Sequence, residues 1–219
     1  MRAGGLSAWE LCCRRGDRWL FHGVDIALAP GEALWVQGRN GAGKTSLMRM
    51  LAGLLAPTPT GYGPPVARVG SIAWQGTVAL VDERLALDGE APLGRALAFW
   101  AAIDGAADMA SAIARVGLAG LEDVPVRYLS TGQRKRAALA RLLMADADNW
   151  LLDEPLNGLD TAGVALVADL IAAHRAEGGT AIVASHQPID LPGAAVLDIA
   201  ASGPVWLADE WAEMADGTD

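Results

Sequence analysis

Cysteine is almost absent from this 219-residue sequence, and the two present, Cys12 and Cys13, are neighbours. Adjacent cysteines are poorly placed to bridge each other, so a disulfide framework is excluded and a reducing compartment fits. Both read as small buried residues near a strand. No apolar run approaches the ~20 residues that span a bilayer. The opening segment, MRAGGLSAWELCCRRGD, lacks the basic stretch followed by an apolar one that marks a secretory signal. An excess of positive charge is missing too: 17 Lys and Arg stand against 26 Asp and Glu, a formal net charge of −9. That balance argues against a nucleic-acid surface, where a basic stripe is needed. With 52% apolar and 20% charged residues the chain is globular, long enough for one domain or one domain with an inserted lobe.

The order of elements is legible. Residues 6–36 read as short strands with turns at Arg15-Gly16-Asp17 and Ala29-Pro30-Gly31. Ala33–Val36 is an apolar run suited to a buried strand and leads directly into GRNGAGKT; SLMRMLAGLL then has helical spacing. A proline- and glycine-rich stretch over 56–70 is an irregular connection or hairpin. From Pro92 to Gly120 the pattern is helical and alanine-rich, broken at Gly105 and Gly117. Strand and helix then alternate through WLLDE (150–154), a helix over Ala162–His174 and an apolar strand over Thr180–Ala184. This is an α/β sheet protein with a helical insertion over about 84–128.

Three segments carry chemistry. GRNGAGKT matches G-x-x-x-x-G-K-[ST] between a buried strand and a helix, where a phosphate-binding loop must sit. Gly38, Gly41 and Gly43 let the backbone N–H groups of Gly38, Arg39, Asn40, Gly41, Ala42 and Gly43, with those of Lys44, Thr45 and Ser46, wrap the phosphates of ATP. Lys44 is placed for the β- and γ-phosphates and the Thr45 hydroxyl for Mg²⁺. WLLDEP ends a strand at Asp153, a second Mg²⁺ residue, and sets Glu154 one step further to polarise the attacking water. Alone, apolar-apolar-Asp-Glu is a common strand end; the upstream phosphate loop gives it meaning. Leu129-Ser130-Thr131-Gly132-Gln133 precedes the basic helix RKRAALARLLM, so Ser130 and Gly132 form either an ordinary N-cap or an anion site.

This order of motifs resembles the ATP-binding cassette (ABC) ATPase family. The resemblance implies a P-loop NTPase cassette filling 1–219 as a single domain. Its RecA-like mixed-sheet core would span 1–83 and 129–219, with an N-terminal antiparallel β-subdomain and an α-helical subdomain over about 84–128. It implies a homodimer of cassettes in which Ser130, Gly132 and Gln133 of one copy close over ATP held by the other, Thr131 replacing a usual glycine. Leu156–Asp160 is similar to the loop that crosses the dimer interface, with Asp160 at its end, and His186 resembles the histidine that senses the γ-phosphate. Glu83 is the preferred candidate for the position that links Mg²⁺ and ATP to a membrane partner, with Gln75 as the alternative. Arg15 or Trp19 fills the place of the adenine-stacking aromatic.

The segments LCCRRGDRWLF (11–21), GLAGLEDVPVRYLSTGQRKRAALARL (117–142) and ASHQPID (184–190) look like those of the ATP-binding subunits of cytochrome c maturation haem exporters. That likeness implies an ATP hydrolase peripheral on the cytoplasmic face of a bacterial inner membrane. Separate multi-span membrane subunits would be its partners, with haem handled only indirectly. The alternatives are another small-substrate ABC exporter, or a soluble cassette acting on nucleic acid or the ribosome. The latter usually needs two cassettes or a coiled-coil insertion, and the acidity counts against it. A small-molecule P-loop kinase is disfavoured by LSTGQ and His186.

Overall fold

The computed structural model describes residues 2–60, 68–105 and 108–201. β1 (Gly5–Arg15) and β2 (Arg18–Leu28) pair antiparallel around the turn at Gly16, and β4 (Ser71–Gln75) joins the other edge of β1. The expectation of several short strands before the loop is thus replaced by a hairpin of two eleven-residue strands. Bulges within β1 break its alternation, which is why the sequence reads as shorter pieces.

β3 (Ala33–Gln37), β5 (Val78–Val81), β6 (Asn149–Asp153), β7 (Thr180–Ala184) and β8 (Ala195–Asp198) form a separate sheet in the order β5-β6-β7-β3-β8. Each of its pairings is parallel, and β6 and β7 are buried along their whole length, as a strand covered on both faces must be. The helices α1 (Lys44–Leu51), α4 (Thr131–Met144) and α5 (Thr161–Ala176) cover it. α2 (Leu93–Asp104) and α3 (Met109–Arg115) lie between β5 and α4 in the chain and pack on α4 through Leu97, Ile113 and Val116. Gly105 ends α2 in the left-handed conformation, the break that the sequence signalled. The 56–70 stretch closes on itself through reciprocal Thr60 and Arg68 backbone hydrogen bonds; 61–67 lie outside the described residues. Cys12 and Cys13 are free and buried in β1.

Asn149, a polar residue opening a buried strand, ties the two sheets together. Its Oδ1 accepts from the Gly5 N–H (2.9 Å) and the Thr180 hydroxyl (2.7 Å), and its Nδ2 donates to the carbonyls of Gln75 and Thr77. A fully satisfied buried amide fixes register where apolar packing would permit slippage.

A second buried polar group sits behind the same strand. The His174 ring stacks on Trp150 with centroids 3.9 Å apart, and its Nε2 donates between the carbonyls of Asp148 (3.1 Å) and Thr180 (3.2 Å). Nδ1 is buried with no partner, so a second ring proton would have no acceptor. Burial, with Arg2 nearby, lowers the His174 pKa from 6.5 to about 4. The unfolded chain therefore takes up the proton first as pH falls. The stabilisation from neutral His174 is complete above pH 6.5 and is lost as pH falls toward about 4. Urea unfolding across this window should show the wild type losing about 3 kcal/mol more than His174→Phe, which carries no proton to titrate.

Candidate active site

The loop between β3 and α1 is shaped by what surrounds it. Gly38 has φ 147°, and a Cβ there would lie 2.8 Å from the Ile199 side chain that follows β8. Gly43 has φ 111° and sits against Leu20 and Phe21 of the β1–β2 hairpin, at 3.1 and 3.0 Å from a Cβ. Neither position accommodates a side chain, so the backbone itself faces the space in front of α1. Helix α1 begins at Lys44 with no side-chain cap, and no acidic residue occupies its first turn. Its N–H groups and dipole are left for an anion.

A cavity of about 330 Å³ opens there, lined by Leu20, Asn40, Gly41, Gly43, Lys44, Thr45, Ser46, Glu83, Glu154, Asn157 and His186. Elements far apart in sequence bring these residues together because parallel strands all end on one edge of the sheet. Glu154 follows β6, His186 follows β7, and Glu83 lies two residues beyond β5. The buried Lys44 ammonium stands 3.3 Å from Glu154 Oε1 and donates to the Gly38 carbonyl at 2.9 Å. Glu154 Oε2 accepts from His186 Nδ1 at 2.9 Å. One carboxylate thus bridges the phosphate-loop lysine and the histidine.

Asp153 lies buried beside Glu154, with neither carboxylate oxygen hydrogen-bonded in good geometry. Burial raises its pKa; the nearby Thr45 hydroxyl opposes this, and the charges of Glu154, Glu83 and Asp82 add to the rise. An orphaned carboxylate among like charges, next to a hydroxyl, suits a hard divalent cation. Among the described residues no three His, Cys, Asp or Glu side chains converge on one point. Thr45 and Asp153 are thus the residues that would hold Mg²⁺, as part of a shared shell rather than a protein cage.

The remaining sequence candidates lie elsewhere. Gly38, Arg39 and Ala42 belong to the loop without lining the cavity, and an Ala42 N–H to Arg39 carbonyl bond closes its turn. Ser130, Gly132, Gln133 and Asp160 do not line it. Ser130 and Gln133 instead form a reciprocal capping box on α4, and Asp160 caps α5 by accepting from the Gly163 N–H. Ser130 and Thr131 are nonetheless exposed, so this turn is free to meet another molecule. Gln75 ends β4 in the antiparallel sheet, where its carbonyl accepts from Asn149 at the start of β6, the opposite end from Asp153.

Neither Arg15 nor Trp19 lines the cavity; Leu20 does. Arg15 pairs with Arg18 across the hairpin end, and Trp19 is engaged by the Arg14 guanidinium and the edge of His22. Sequence reasoning passed over Leu20, Gln187 and Lys135 as site residues, and met Asn157 only as a member of the Leu156–Asp160 loop. Gln187 donates to Asn157 Oδ1 at 3.3 Å, and its own N–H is held by the buried Ser185 hydroxyl at 3.0 Å, which fixes the turn carrying His186. The signal available for these was adjacency to motif residues.

Known proteins resemble this chain in sequence and in fold. The profile of the ABC transporter family matches residues 21–157. Over 191 residues the chain is 50% identical to the cytochrome c biogenesis ATP-binding export protein CcmA of Novosphingobium aromaticivorans, covering 87% of this chain and 93% of the relative. The protein of the same name from Methylococcus capsulatus is 41% identical over 204 residues, with 86% and 94% covered. Among solved structures, cbiO1 of Clostridium perfringens, part of the ABC transporter complex cbiONQ, superposes with a TM-score of 0.66 at 26% identity, over 83% of this chain and 78% of that one.

Proposed function

This chain belongs to the ABC transporter family, and we propose that it is the ATP-hydrolysing subunit of a haem exporter complex that serves cytochrome c maturation. The observation that carries the ATPase reading is the bridge from Lys44 through Glu154 to His186, three motifs meeting in one cavity beside an uncapped helix N-terminus. Identity of 50% along nearly the whole of an ATP-binding export protein supports the narrower assignment.

Gly38–Ser46 cradle the triphosphate through backbone N–H groups. Lys44 exchanges its Glu154 partner for the β- and γ-phosphates, which frees the carboxylate to orient and deprotonate the attacking water. His186 reads the γ-phosphate from the other side of Glu154. Thr45 and Asp153 would hold Mg²⁺, which would supply positive charge to offset the charge that develops on the phosphates. Glu83 borders this group from the end of β5. Ser130, Gly132 and Gln133 serve the ATP of a second copy, with Asp160 beside them. The exposure of Ser130 and Asp160 outside the chain's own cavity supports a head-to-tail dimer with two composite sites. Closure on ATP and opening after hydrolysis then bias a two-state assembly.

The membrane partners meet this chain beside the site. A groove of about 400 Å³ runs between β5, residues 84–87 and α4, with Leu54, Val81, Leu85, Leu87, Ala138 and Leu142 on its walls. Asp82, Arg84, Asp104 and Arg141 line it as well. Apolar walls among charges suit a short amphipathic helix. No helix among the described residues is long and apolar enough to cross a membrane. Separate multi-span subunits hold the chain on the cytoplasmic face of a bacterial inner membrane. Haem is met only through them.

The test is co-purification of the tagged chain from detergent-solubilised membranes. A multi-span protein should accompany the wild type, and Leu87→Glu should reduce its recovery by about tenfold or more while ATP binding stays intact, because a charge enters an apolar contact. Cells bearing Glu154→Gln should also lose covalent haem staining of c-type cytochromes. A chain that leaves membranes alone and sustains normal staining when inactive is not this subunit.

A further inference from the structure

Glu154 adopts a backbone conformation that glutamate disfavours. Its φ is 48°, in the left-handed region, where a Cβ crowds the neighbouring carbonyl oxygen. Such a conformation persists only where the surroundings over-determine it. The Glu154 N–H donates to the Ala184 carbonyl at 2.8 Å. Its carbonyl accepts from Lys135 Nζ at 3.0 Å, whereas the Asn157 N–H, at 3.5 Å, offers little. The lysine is therefore the principal hold on that carbonyl, and it comes from outside the loop.

Lys135 lies in the first turns of α4, the helix that opens with Ser130–Gly132. The same helix grips the segment after Glu154 at two further points. Gly132 packs so closely on the Gly158 carbonyl that a Cβ would lie 3.3 Å from it, and Arg136 donates to Asp160 Oδ1 at 3.4 Å. α4 and residues 154–160 are thus tied together at three points. Lys135 is also a half-buried cation facing four carboxylates, Glu83, Asp153, Glu154 and Asp82; burial lowers its pKa while they oppose the shift.

We infer that Lys135 is a positioning residue for Glu154, holding the strained backbone that aims the carboxylate and joining it to the Ser130–Gly132 turn of the same chain. A phosphate docked on that turn by a second copy shifts α4, and α4 carries the shift through Lys135 to the carboxylate serving the chain's own ATP. Each site is thereby informed of the other. The inference rests on Glu154 being the base that orients water.

Steady-state hydrolysis by the full chain, with kcat and KM for ATP measured separately, tests it. Lys135→Met keeps the length and apolar stem but removes the donor. Its kcat should fall about 10- to 100-fold, the scale of an ångström-sized misplacement of a reacting group, with KM changed less than about twofold. Lys135→Arg, still a cationic donor, should keep kcat within about threefold of wild type. Wild-type kcat in Lys135→Met overturns the inference, as does an unchanged kcat with a raised KM. Equal loss in Lys135→Arg with lowered melting temperatures in both also overturns it, since packing then explains the effect. Glu154→Gln assayed in parallel separates the two readings. If it hydrolyses ATP at the wild-type rate, the base assignment fails and the inference with it; if it is inactive while Lys135→Met is normal, the inference alone fails.

Discussion

Replacing Glu154 with glutamine should lower ATP turnover by about 10²- to 10⁴-fold, the contribution of a positioned general base, while leaving ATP bound. The substitution is nearly isosteric, and the amide oxygen still accepts from His186 Nδ1, now 2.9 Å from the carboxylate. What disappears is the negative charge that draws the water's proton. The same charge competes with phosphate for Lys44, 3.3 Å away, so ATP affinity should hold or rise. Phosphate release against calorimetric ATP binding measures both. Turnover at the wild-type rate would remove Glu154 from the chemistry.

Lys44→Ala should act on the opposite quantity. Lys44 is 6% exposed and, among the described residues, carries the one ammonium that lines the cavity. Removing one partner of a buried charge contact costs about 2 kcal/mol or more, so ATP affinity should weaken by at least about 30-fold. The free protein should suffer too. Glu154, 7% exposed, loses its ion-pair partner and becomes a buried carboxylate held by His186 alone. Unfolding free energy should drop by about 3 kcal/mol. Adding Glu154→Gln to Lys44→Ala should restore much of that stability without restoring ATP binding. Calorimetry and urea melts separate the effects; Lys44→Ala binding ATP as wild type does would refute the phosphate-loop reading.

Much of this was legible because strand-to-loop transitions carry dense local signals. GRNGAGKT announces itself by glycines that tolerate no Cβ, as Gly38 against Ile199 and Gly43 against Phe21 bear out. WLLDE reads as a strand end because a buried parallel strand is an unbroken apolar run, and β6 is buried throughout. The hairpin was harder to read: bulges in β1 interrupt its period of two, so eleven-residue strands looked like short ones.

Side-chain partners across the fold were not legible. Nothing local to Asn149 signals that it receives Gly5 and Thr180, and its polarity in a strand reads simply as a strand start. Lys135 hides for a similar reason. On the sequence it is one basic residue among Arg134, Lys135 and Arg136, and only the packing of α4 on residues 154–160 turns it inward. Between Glu83 and Gln75, spacing along the sequence favours Glu83. Gln75 ends a strand of the antiparallel sheet, Glu83 follows one of the parallel sheet, and of the two only Glu83 borders the cavity.

Ser130 shows how two readings of one residue coexist. Its hydroxyl accepts from the Gln133 N–H at 3.2 Å as an ordinary N-cap, yet it stays exposed at the head of a helix with no acidic residue in its first turn. A cap and a phosphate contact are compatible when a second chain supplies the phosphate.

Sedimentation of the Glu154→Gln protein with ATP asks whether that second chain completes the site. A two-copy species should form with ATP, and a single copy should remain with ADP. Adding Ser130→Asp should leave a single copy even with ATP, since aspartate keeps the helix cap but sets a carboxylate against the partner's phosphates. Stoichiometric ATP on a single copy at every protein concentration, or a two-copy species indifferent to Ser130→Asp, would contradict a composite site.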